Sequence, residues 1–150
     1  MKHNLILRVV SKFLIPLILL FALYVQFHGD FGPGGGFQAG VIFSAAIILY
    51  ALVFGVDNAK AVISPYVLRL LASLGVLIYA GTGVAALILG GNYLEYSVLG
   101  ATQIAGQHLG ILVIELGVGI TVMSVMLLMF FTFAERGRPN LKSEPESGLE

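Results

Sequence analysis

The sequence predicts an all-α membrane protein of four transmembrane helices, with both termini on the cytoplasmic side and a short polar tail. Three observations carry that prediction. Hydrophobic residues make up 58% and charged residues 11% of the chain, and the mean hydropathy is +0.97, a balance foreign to soluble globular domains. Four apolar runs, at residues 9–27, 36–56, 67–89 and 109–133, are each close to the roughly 20 residues that a helix needs to cross a bilayer. All eight Lys and Arg fall on one side of the topology that these runs define.

The first run follows Lys2, Arg8 and Lys12 in the manner of a signal peptide. Its exit, "FALYVQFHGD", lacks a small-x-small cleavage pattern, so the segment is read as an uncleaved helix. Pro16 removes the backbone bond to the carbonyl of Lys12 and predicts a kink there. The second run begins near Gly36, with Gln38 at its mouth, and Pro65 after Ser64 opens the third. Tyr24 and Phe27, Tyr50 and Phe54, Tyr93 and Tyr96, and Phe130, Phe131 and Phe133 stand where aromatic belts meet headgroups. With the N-terminus inside, Lys60, Arg69, Arg136, Arg138 and Lys142 are cytoplasmic as well, and the outer connections carry Asp30 and Glu95 but no base. The four-helix domain covers residues 1–135. The tail, residues 136–150, is polar, mixed in charge and expected to be disordered. No cysteine is present, which excludes disulfides and thiol chemistry, and no soluble domain remains for conventional enzymology.

Function must then lie in polar residues kept within the bundle. Glu115 is the one acid inside the four runs. An acid at mid-membrane costs about 2.5 to 3.5 kcal/mol on insertion scales and faces a cavity or a partner. His108 lies two helical turns earlier, on nearly the same face and about 10 Å away along the axis. Gly119, one turn further on, leaves room on that face. The pair suits a proton or cation relay, since burial raises a carboxyl pKa and a cationic partner lowers it, and His titrates near neutrality. The competing reading is structural: Glu115 bonded across an interface, with Tyr79 and Thr82 of the third span as polar partners, and His108 a solvated interfacial side chain. Gly75 and Gly83 on the third span, and Gly106, Gly110 and Gly117 on the fourth, read as close-packing positions.

The first two runs are joined by "HGDFGPGGGFQAG". Gly34, Gly35 and Gly36 reach backbone conformations closed to other residues and Pro33 fixes a bend, so the chain can turn sharply. Gly36 and Gly40, four apart, let the second helix approach a neighbour. His28 and Asp30 put titratable charge at an outer mouth; the alternative is an ordinary tight loop with solvated charges.

The stretch "HGDFGPGGGFQAGVIFSAAIILYALVFG" and the last-span segment "GQHLGILVIELGVGITVM" closely resemble the B subunit of Mrp-type, or Mnh-type, multisubunit Na+/H+ antiporters. The likeness runs from "NLILRVVSKF" to the end of the fourth span and leaves out only the tail. Its signature falls on His28, Gly29, Asp30, Phe31, Gly32, Pro33, Gly34, Gly35, Gly36, Phe37, Gln38, Ala39 and Gly40, and on His108, Gly110, Glu115 and Gly117. The resemblance implies a four-helix subunit of a large assembly in the bacterial inner membrane that exchanges sodium for protons. It would work with other antiporter subunits and membrane lipid as partners, Na+ and H+ as transported ions, and no nucleic acid, metal site or organic cofactor. Related B-like subunits occur in membrane-bound hydrogenase-type complexes, which supply one alternative. An independent four-helix transporter and a purely structural adaptor are the others.

Overall fold

The computed structural model describes residues 2–29 and 32–137, with side chains from Leu5 onward. Five α-helices follow one another: α1 over Lys2–His28, α2 over Gly36–Phe54, α3 over Val56–Val62, α4 over Pro65–Ile88 and α5 over Gln103–Arg136, with a 3-10 turn at Tyr96–Leu99 before the last. The described residues contain no strand. α1, α2, α4 and α5 are each long and apolar enough to cross a membrane. Most of their large apolar side chains face outward, among them Phe13, Leu20, Leu77 and Ile88, as a chain solvated by lipid or by other membrane helices requires.

The helices outrun the apolar stretches that signal them. α1 begins at Lys2 and α5 at Gln103, because charged and amide side chains are sound helix formers and the edge of an apolar run marks the bilayer, not the end of the hydrogen-bonded ladder. α2 stops at Phe54, short of Val56, where Gly55 at φ +102° breaks the ladder while its N–H still bonds the carbonyl of Ala51. The short α3 after it stands where the sequence suggests only a polar connection. α1 runs continuously through Pro16. Ser64 caps α4 by accepting from the Val67 amide at 3.3 Å, with Pro65 in the first turn, and Thr102 caps α5 by accepting from Ala105 at 3.2 Å, the side chains satisfying amides that a helix start leaves open. The tail beyond Gly137 lies outside the described residues.

The bundle is two hairpins around α5. α4 packs along one side of α5, with Gly75 against Gly117 and Thr121; α2 packs along another, parallel to it, with Gly36 against Glu115 and Gly40 against Gly119. α1 lies antiparallel on α2, its Lys12 ammonium 5.9 Å from the Phe54 ring centre. At the basic end Ala51, Ala59, Leu68, Leu127 and Phe131 form a cluster of well-buried apolar side chains. Lys60 pairs with Glu135 there and lies over the Phe131 ring.

Candidate functional site

The α1–α2 turn explains its own glycines. The Gly35 amide reaches back to the carbonyl of Val25 at 3.2 Å, covering one of the acceptors that the end of α1 leaves open. To make that contact and then start α2, Gly35 takes φ +121°, ψ −179°, a region in effect reserved for glycine. A side chain on Gly34 would press on the Val25 carbonyl at 3.0 Å, and one on Gly32 would lie 3.2 Å from Nε2 of His28. His28 is half-buried and its ring stacks on Tyr24, the centres 5.1 Å apart. Pro33 stands exposed at the rim. Asp30 and Phe31 lie outside the described residues.

Into this turn comes the carboxylate of Glu115. A Cβ added to Gly29 would meet its Oε1 at 2.3 Å and Oε2 at 2.6 Å; one added to Gly35 would meet Oε1 at 2.7 Å. Gly36 is closer still to the main chain of Glu115, its missing Cβ falling 1.9 Å from the carbonyl oxygen. Three glycines far away in sequence thus form the cradle for one acid of α5. The cradle is also the N-terminus of α2, where the first amides lack intrahelical partners and the helix dipole favours negative charge. A carboxylate is the group this arrangement suits. Among the described residues no cluster of acids and histidines has the makings of a metal site.

The domain related to the MnhB subunit of Na+/H+ antiporters matches residues 6–128 of the chain. The chain belongs to the MnhB family. Proteins of Staphylococcus aureus strains Newman, JH1 and USA300, which carry the provisional name antiporter subunit mnhB2, are 37% identical to it over 134 residues, covering 82% of this chain and 94% of theirs.

In this MnhB-family chain the other site residues expected from sequence sort by distance from the cradle. Gly40 continues the α2–α5 contact, its missing Cβ falling 2.6 Å from the Gly119 carbonyl. His108 shares the α5 face of Glu115 but lies two turns away and is exposed, whereas Glu115 is half-buried. Tyr79 and Thr82 belong to α4, which meets α5 at Gly117, a position rotated by about 200° from Glu115. Thr82 donates to the Ile78 carbonyl of its own helix at 2.8 Å, and Tyr79 lies near Tyr96 of the 3-10 turn. The glycine series on α5 divides in two: Gly117 meets α4, while Gly106 and Gly110 receive the main chain and ring of Tyr96. On α4, Gly83 receives the ring of Tyr93.

One polar residue near the cradle escapes the sequence reading. Gln26 of α1 is buried, only 8% exposed, and its Oε1 fills the space that a Cβ on Gly119 would occupy, 2.6 Å away. It stands one turn below Glu115 on the α5 scale and lines a cavity of about 210 Å³ with Phe27, Phe43, Leu116, Gly119 and Met123. Its signal is an amide inside an otherwise apolar run, two residues before His28.

Proposed function

We propose that this MnhB-family protein is a membrane subunit of a multisubunit Na+/H+ antiporter, and that Glu115, seated in the glycine cradle, is the group through which it takes part in ion or proton movement. The observation that carries the reading is the seat itself. A carboxylate placed among apolar spans is costly, yet here Gly29 and Gly35 leave out their side chains to receive it, and Gly36 does so to admit the main chain of Glu115. An acid needed only to tie two helices together would be served by one hydroxyl or amide partner; a cradle of bare backbone at a helix N-terminus suits a charge. The described bases stand at the far end, which by the positive-inside rule supports reading that end as cytoplasmic, with the cradle then in the outer half of a bacterial plasma membrane. The basic work of the protein on this reading is transport within a complex, with Na+ and H+ as its ions.

The test is Glu115→Gln, which keeps shape and hydrogen bonding but removes the charge. In membrane vesicles carrying the whole complex, sodium-dependent proton exchange is expected to fall by an order of magnitude or more, with the other subunits recovered in normal amounts. Exchange unchanged in rate and pH optimum would assign Glu115 to bracing alone.

A further inference from the structure

Gln26 and Glu115 are laid across each other's helices. The Gln26 Oε1 lies against the bare Cα of Gly119, four residues beyond Glu115 on α5, and the Glu115 carboxylate lies against the bare Cα of Gly29, three residues beyond Gln26 on α1. Positions three and four apart on a helix have their Cβ atoms about 5 to 6 Å from each other. Each polar side chain therefore occupies the place next to the root of the other, and the amide and the acid are neighbours across the α1–α5 seam.

The cavity of about 210 Å³ begins at this seam. It reaches from Leu116 and Gly119 to Met123, two turns from Glu115 towards the basic end, about 12 Å. Apart from Gln26 its walls are apolar, with Leu23, Phe27 and Phe43 among them. Gln26 is only 8% exposed, and among the described residues nothing bonds its amide. A buried amide left unmet is costly. A buried water needs space and a few polar partners, and both are present. The amide accepts and donates, and the Gly36 carbonyl oxygen stands 3.2 Å from the position of the missing Gly119 Cβ, where the Gln26 Oε1 stands at 2.6 Å. The carboxylate is beside them. It accepts at several lone pairs, so a bond that Glu115 makes elsewhere leaves it able to take a water.

We propose that Gln26 holds a water in this cavity against the Glu115 carboxyl, and that this water is how the acid gains and loses its proton from the side of the basic end. The water takes the carboxyl proton as it passes one of its own on along the cavity, and the reverse movement reprotonates the acid. Gln26 is a positioning residue in this exchange: its amide fixes where the water sits and carries no net proton. The inference rests on Glu115 taking part in ion or proton movement, which Glu115→Gln tests by itself.

Gln26→Met keeps the length of the side chain and removes its hydrogen bonding, a change that an otherwise apolar cavity accepts. In vesicles carrying the whole complex it is expected to lower the maximum rate of sodium-dependent proton exchange by an order of magnitude, with the other subunits recovered in normal amounts. Gln26→Asn keeps the amide and leaves the space of one methylene to water; it is expected to recover most of the rate. Gly119→Ala gives a second reading, because its methyl displaces the Gln26 oxygen while the next nearest atom, the Gly36 carbonyl oxygen, is 3.2 Å away; the rate is expected to fall as it does for Gln26→Met. A full rate in Gln26→Met or Gly119→Ala overturns the proposal, as does a loss in Gln26→Asn equal to that in Gln26→Met, which would make side-chain length the requirement. Loss of the other subunits with both Gln26→Met and Gly119→Ala assigns Gln26 to bracing and also overturns it. Exchange lost in Glu115→Gln but complete in Gln26→Met keeps the role of the acid and removes only the water, whereas exchange complete in both removes the role itself.

Discussion

The cradle assigns unequal costs to glycines that look alike in the sequence. Gly36 has no room for a methyl group, since its Cβ would fall 1.9 Å from the Glu115 carbonyl oxygen, and backbone cannot swing aside as a side chain does. Gly40 is similar, at 2.6 Å from the Gly119 carbonyl. Gly81, in the middle of α4, has nothing within 4 Å of its missing Cβ. Adding one methyl at Gly36 must part α2 from α5, and overpacking of that kind costs about 1 to 3 kcal/mol. At Gly81 the same methyl relieves the entropy that glycine spends in a helix, about 1 kcal/mol in favour of Ala. Thermal unfolding in mild detergent therefore separates them: Gly36→Ala is expected to lower the midpoint, and Gly81→Ala to leave it unchanged or raise it. Equal destabilisation by both would remove the backbone contact as the reason for Gly36.

At the scale of elements, the connection from Leu89 to Thr102 is held by one acid. Glu95 Oε2 accepts from the Asn92 main-chain and side-chain amides at 2.8 and 2.9 Å, and Oε1 accepts from the Ser97 hydroxyl at 3.0 Å. These bonds, the Asn92 main-chain amide foremost, hold the Glu95 carboxyl below its ordinary value of 4.5. A carboxyl with a lowered folded pKa stabilises the fold above its unfolded value and loses that contribution as pH falls through the folded one. Glu95→Gln is therefore expected to lower the unfolding midpoint at pH 7, and the gap from the unaltered protein to shrink as the pH is taken below 4.5. A gap independent of pH would mean that shape, not charge, is what Glu95 supplies. Elements are also where the limits of sequence reading become physical. The four spans, their order and the sharp turn are legible because apolar length and glycine freedom are properties of local sequence. The extra turns of α1 and α5 are not, since polar residues continue a helix past the bilayer edge without any local mark. Nor is the cradle: "HGDFGPGGG" announces a bend and Glu115 announces a buried acid, but their meeting depends on the register of α2 against α5. Gly36 and Gly40 name a close contact in the sequence without naming the helix that makes it. Gln26 is lost in the hydropathy of its run.

For the molecule as a whole, orientation joins the carboxylate to a side of the membrane. The described bases Arg8, Lys12, Lys60, Arg69 and Arg136 all lie towards the end where α1 and α4 begin and α5 stops, whereas residues 90–102 between α4 and α5 contain no Lys or Arg. Basic residues flanking spans are retained on the cytoplasmic side, and the short connections here are of the length for which that rule holds. Lys60 has a folded-state partner in Glu135, but the rule acts during insertion, before the pair forms, so the ion pair does not cancel its weight. The chain has no native cysteine, and Ala61 in α3 and Ala101 in the opposite connection are both exposed small residues that accept a thiol with little change in volume. In intact cells an impermeant maleimide is expected to label Ala101→Cys and to leave Ala61→Cys unlabelled until the membrane is permeabilised. Labelling of Ala61→Cys alone would invert the protein. It would place the glycine cradle on the cytoplasmic half of the bilayer, and on the function proposed above Glu115 would then meet ions arriving from inside the cell instead of protons from outside.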